Sequence, residues 1–181
     1  MIIKLLLTFI FFFSLDNLLG IFIPRTLFGF YVIVPYSLLI AICLQSFFDD
    51  DDHLPIFAFI FGFIVDIYQA NLIGLYSVLF LIIAVIIKKY IVLITPLNFV
   101  SILYITATAI VAVEVIVFAL VSFVMRDTMT IFRFLQHRLV ITLVFNVLLL
   151  TIMYWPLVKI YTPKDDKKRK IKAVMTDNTQ T

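Results

Sequence analysis

Charge and cysteine are both scarce in this 181-residue sequence, and each shortage excludes something. Only 14% of the residues are Asp, Glu, Lys or Arg, where a soluble domain carries about 25%. With 64% hydrophobic residues, a water-soluble fold of this length has too little interior, because it buries only about 70% of its surface. A soluble enzyme and a nucleic-acid-binding module are thereby excluded. The single cysteine, Cys43, has no partner for an internal disulfide, so a secreted disulfide scaffold is excluded too. Cys43 lies in an apolar run and reads as a small buried hydrophobe. Catalytic signatures are missing as well: there is no HExxH, no GxSxG, no P-loop and no CxxC pattern. No nucleophile, metal site or cofactor site is specified.

What is present is a series of apolar runs long enough to cross a bilayer, so the fold class is an all-α polytopic membrane protein. The first span is read at Leu5–Ile23. It begins like a signal-peptide core after Lys4, but no small-x-small cleavage pattern follows it, so it is expected to be retained. The second is read at Phe28–Phe48, with Pro35 as a kink. The stretch Pro55–Ile87 has 33 residues, about 50 Å as one helix against a hydrocarbon core of about 30 Å. The cluster Asp66 to Asn71, followed by Gly74, breaks it into Ile56–Ile67 and Leu72–Ile87, closed by Lys88-Lys89-Tyr90. A fifth span is read at Leu97–Phe123 and a last one at Leu139–Val158, where Tyr154, Trp155 and Tyr161 suit an interface. Between these two, Thr128–Leu139 has the spacing of a short amphipathic surface helix.

This gives six transmembrane segments, the third of them short, within residues 1–161, and a basic, disordered tail over 162–181. Ten basic residues, namely Lys4, Lys88, Lys89 and seven from Lys159 to Lys172, fall on one side. Arg25, Arg126, Arg133 and Arg138 fall on the other. The positive-inside rule then puts the carboxyl terminus in the cytoplasm. No repeat of 20–50 residues is visible in the sequence.

The few polar residues inside apolar runs carry the information. An ionisable group at the bilayer centre costs about 2.5–3.5 kcal/mol on insertion scales, so it faces a bundle interior, a cavity or a partner. Asp16, Asp66 and Glu114 are such groups, and Asn146 is a buried polar residue of the last span. Glu114 is expected to stay protonated or to pair with an Arg or Asn side chain. Gly62 allows close helix approach before Asp66, and Gly74 relaxes the backbone after the turn. The run Asp49–Asp52 lacks the alternation and glycine of a calcium loop and reads as a solvated loop. His53 and His137 stand at no metal-ligand spacing.

The segment Phe59-Ile-Phe-Gly62-Phe-Ile-Val-Asp66 followed by Gly74-Leu75-Tyr76 resembles the core of the MreD rod shape-determining family. Arg126-Asp127-Thr128-Met129-Thr130 and the Asn146 span are similar to its Gram-positive branch. A second glycine, common in the family four residues earlier, is replaced by Ala58. The resemblance implies a fold like that of the S-components of energy-coupling-factor transporters. It also implies a non-enzymatic scaffold in the bacterial cell membrane, serving cell shape and peptidoglycan synthesis in the elongation complex, or elongasome. The implied partners are MreC, RodA, a class B penicillin-binding protein, MreB and membrane lipids, with no nucleic acid. Gly62, Asp66, Gly74 and Tyr76 are then the expected partner-binding and helix-packing residues. The alternative is a substrate-binding membrane subunit of an energy-coupling-factor-type vitamin transporter, which needs a polar pocket for a small ligand.

Overall fold

The computed structural model describes residues 2–22, 26–27, 31–48, 52–69, 74–95, 98–125 and 130–161. Asp49–Asp51, Asn71, Arg126–Met129 and the tail from Thr162 lie outside the described residues. The described residues are mostly helical, with one short antiparallel ladder, β1 (Thr26–Leu27) and β2 (Tyr31–Val32), in which Thr26 lies opposite Val32. The helices are α1 (Ile2–Phe22), α2 (Ser37–Phe48), α3 (Leu54–Gln69), α4 (Leu75–Ile86), α5 (Val92–Ile94), α6 (Phe99–Met125), α7 (Ile131–Phe134) and α8 (Val140–Tyr161). A π-helical turn, Ile87–Ile91, joins α4 to α5, and a second, Leu135–Leu139, joins α7 to α8. Among the described residues six helical segments therefore stand as expected, and four of them are long and apolar enough to cross a membrane: Ile2–Phe22, Leu75–Ile94, Phe99–Val124 and Ile131–Lys159.

The two short segments set the layout. Helix α2 has 12 residues, about 18 Å at 1.5 Å per residue, too little for a hydrocarbon core of about 30 Å. Every residue from Ser37 to Ser46 is buried. The helix packs against α1, α3, α4, α6 and α8, so neighbouring protein rather than lipid surrounds it. Around it each outer helix offers one buried stripe. On α1 this is Leu5, Phe9, Phe12 and Asp16, spaced as one helical face. Phe9 meets Phe61 of α3 with ring centroids 5.1 Å apart. Large apolar side chains such as Ile21, Tyr104, Phe123 and Ile152 point outward, as they do where the solvent is lipid.

Three boundaries differ from the sequence reading. Within Phe28–Phe48 the described helix is Ser37–Phe48; residues 33–36 are outside any helix and are held by side chains from other helices, as described below. Lys88-Lys89-Tyr90 does not close the fourth segment, because the helix runs through it as a π-turn and ends at Ile94. Thr128–Leu139 is not a separate surface helix: from Ile131 onward the chain is already the last span. Two contacts draw this stretch into the bundle. Phe134 stacks on Phe118 at 4.1 Å, and Arg138 reaches a carboxylate inside.

Candidate functional site

A helix leaves its first backbone N–H groups without partners, and in a membrane water cannot supply them. The protein answers this twice with an aspartate from the preceding helix. Asp66, near the end of α3 and fully buried, accepts from the N–H groups of Gly74 at 3.1 Å, Tyr76 at 2.8 Å and Ser77 at 3.0 Å. Its charge sits at the positive end of the α4 dipole, where an anion is stabilised. Asp16 of α1 does the same for α2. It accepts from Ser37 N–H at 2.7 Å and Leu38 N–H at 3.0 Å, and also from the Ser37 hydroxyl. In both cases the capped helix opens on a Tyr-Ser pair, Tyr36-Ser37 and Tyr76-Ser77.

The glycines explain why the second pair closes so tightly. A Cβ built on Gly62 would lie 2.6 Å from Ser77 Cα and 2.8 Å from Tyr76 O, so only glycine lets the α3 and α4 backbones cross there. Gly74, the residue before α4, has φ 95°, in the left-handed region where other residues are strained. Ala58, in place of the second glycine, is fully buried.

The segment before α2 is held by three side chains from α8 and α6. Asn146 of α8 accepts from Tyr36 N–H at 2.7 Å and donates to Val34 O at 2.8 Å, pairing with the chain as a neighbouring strand would. Thr142, one turn earlier, donates to Val32 O at 3.3 Å. Glu114 of α6, 1% exposed, accepts the Tyr36 hydroxyl at 2.9 Å and Arg138 Nε at 2.8 Å. This is the pairing with an arginine that desolvation demands of a buried carboxylate. The Tyr36 and Tyr76 rings lie 6.5 Å apart, so the two Tyr-Ser pairs meet at the centre.

The structure thus gathers Asp16, Asp66, Gly62, Gly74, Tyr76, Glu114 and Asn146 into one polar layer across the bundle. Sequence reasoning missed Tyr36, Ser37, Thr142 and Arg138. The sequence pattern puts Arg138 in a short amphipathic surface helix; it lies instead within the last span, made tolerable there by Glu114. The one signal that pointed to Tyr36 and Ser37 was the recurrence of Tyr-Ser downstream of an intramembrane aspartate. Beside the layer is a cavity of about 420 Å³, lined in part by Asp16, Asn17, Tyr68, Tyr76 and Arg138. Among the described residues, no three His, Cys, Asp or Glu side chains are grouped to hold a metal ion.

Such an architecture defines a multi-pass membrane protein whose buried polar side chains lock helices to one another. Comparison with known proteins narrows the class. The family model for rod shape-determining protein MreD matches residues 1–164. The rod shape-determining protein MreD of Bacillus subtilis (strain 168) is 30% identical over 125 residues, covering 69% of this chain and 72% of that protein. The chain belongs to the MreD family, and its role is in the determination of cell shape. No solved structure matches it.

Proposed function

We propose that the chain is a non-catalytic scaffold subunit of the cell-elongation complex, binding MreC and linking it to the peptidoglycan synthases RodA and a class B penicillin-binding protein. A connection to MreB filaments on the cytoplasmic side belongs to the same reading. One observation carries it: three carboxylates inside the bundle are engaged in fixing helix ends and connections. Asp66 is spent on three N–H groups of α4, Asp16 on the start of α2, and Glu114 on Tyr36 and Arg138. Such a bundle suits presentation of a rigid surface to another membrane helix. The basic tail favours a cytoplasmic carboxyl terminus.

Gly62, Asp66, Gly74 and Tyr76 shape the part of the bundle that receives MreC, because they fix the geometry of the α3–α4 pair. The expected result is that Gly62→Leu stays in the membrane fraction and co-purifies less MreC than the parent protein. Undiminished MreC recovery with this variant would remove these residues from the partner surface. Stabilisation of the purified protein by a vitamin would favour the transporter-subunit alternative.

A further inference from the structure

The cavity of about 420 Å³ lies at the end of the bundle where α1 and α3 finish and α2 and α4 begin. The carboxylates on and behind its wall are already engaged. Asp16 holds the first N–H groups of α2, and Glu114 holds Tyr36 and one edge of Arg138. Arg138 is different. A guanidinium carries five N–H donors in a fixed fork, and among the described residues its hydrogen-bond acceptor is Glu114 Oε2, bonded to Nε. Its side chain is 28% exposed while that of Glu114 is 1% exposed, so the carboxylate braces the arginine from behind and leaves the rest of the fork accessible. A braced arginine of this kind suits an oxyanion, bound through parallel N–H bonds.

Beyond Asn17 and Tyr68, the rest of the wall is apolar and belongs to α1 and the segment before α2: Leu19, Gly20, Ile21 and Val32 to Pro35. It is continuous with the outward surface of α1, where Leu18, Ile21 and Phe22 are 50%, 77% and 79% exposed. An oxyanion site joined to a lipid-facing apolar strip has the two-part character of an amphiphile. We propose that this cavity binds an anionic phospholipid, with the phosphate on Arg138 beside Tyr76 and the first methylenes along Leu19 and Ile21. The proposal is independent of MreC binding.

The test uses the full chain, purified in detergent and stripped of lipid. Phosphatidylglycerol is expected to raise its thermal midpoint, while diacylglycerol with the same chains and inorganic phosphate leave it unchanged. Arg138→Met should weaken the phosphatidylglycerol response about tenfold or more, the scale of a lost charge-assisted contact. Because that change also breaks the pair with Glu114, Gly20→Phe supplies a second arm. Gly20 lines the cavity and a Cβ there meets nothing within 4 Å, so a ring at this position has room to enter the cavity without displacing the polar layer. It should abolish the lipid shift. A benzophenone amino acid at position 20, irradiated in native membranes, should capture lipid. Four results overturn the proposal: equal stabilisation by diacylglycerol, equal stabilisation by inorganic phosphate, a phosphatidylglycerol shift that survives Gly20→Phe, or a protein adduct in place of a lipid adduct.

Discussion

Helix pairs α1–α2 and α3–α4 solve one problem with the same residue and close it differently. In each, an aspartate of the first helix caps the second at a Tyr-Ser pair. In the α3–α4 pair the aspartate and its serine are 11 residues apart, with Gly74 to turn the chain and Gly62 to admit the crossing. In the α1–α2 pair they are 21 apart, and the longer connection is braced by Asn146, Thr142 and Glu114 from α8 and α6. The tight pair therefore depends on local chemistry and a single carboxylate. The open pair depends on helices far along the chain, and it holds the buried central helix through them.

The sharpest break in this comparison is to remove each aspartate. An unsatisfied buried donor costs roughly 1–3 kcal/mol. Asp66→Leu strands three N–H groups and is expected to destabilise by about 5 kcal/mol on that scale. Asp16→Leu strands two N–H groups, while the Ser37 hydroxyl keeps Phe12 O at 3.1 Å and Asn146 keeps Tyr36. Its expected cost is smaller, about 3 kcal/mol. Thermal unfolding in detergent, with the elution profile as a check on folding, ranks the two. An Asp16 variant that proves the worse of the pair would refute the bracing argument.

Next in size is the brace itself. Removing one partner of a buried ion pair costs about 3–5 kcal/mol because it leaves a charge without compensation, while replacing both by apolar residues is much milder. Arg138→Met alone should therefore be clearly less stable than the double change Glu114→Met with Arg138→Met. Equal melting of single and double variants would show that the pair does not hold the open connection.

The smallest effect separates the glycines. Gly62→Ala forces a methyl group against Ser77 backbone and should cost about 1–3 kcal/mol, as overpacking does. Gly20→Ala meets open space, so its midpoint should stay close to the parent's. Matching losses at both positions would place the close crossing somewhere other than Gly62.

Asp66 was legible in the sequence because everything it needs is near it in the chain. An acid, a turn and two glycines within a 33-residue apolar stretch leave few physical arrangements. Asp16, Glu114 and Asn146 were legible only as expensive polar groups. Their partners, Ser37, Tyr36 and Arg138, lie in other segments, and no local pattern links them. The same gap explains the misplaced boundaries. Non-helical chain within a membrane is forbidden unless side chains satisfy its backbone, and Asn146 and Thr142, which supply those bonds to 33–36, lie more than 100 residues away. Arg138 reads as a surface-helix residue because an arginine inside a span is costly without a partner, and the partner is on α6.

The sequence by itself determined that the chain lives in a bilayer, that six segments share its length, and that the third is too short to stand alone. Apolar run length and the cost of burying charge decide those matters locally. Only the tertiary structure decided that the second segment is a 12-residue helix wrapped by protein, that two aspartates perform one task, and that Glu114 and Arg138 neutralise each other. Each of these rests on a hydrogen bond between distant segments. Lipid cannot supply a substitute for such a bond, so the fold has to.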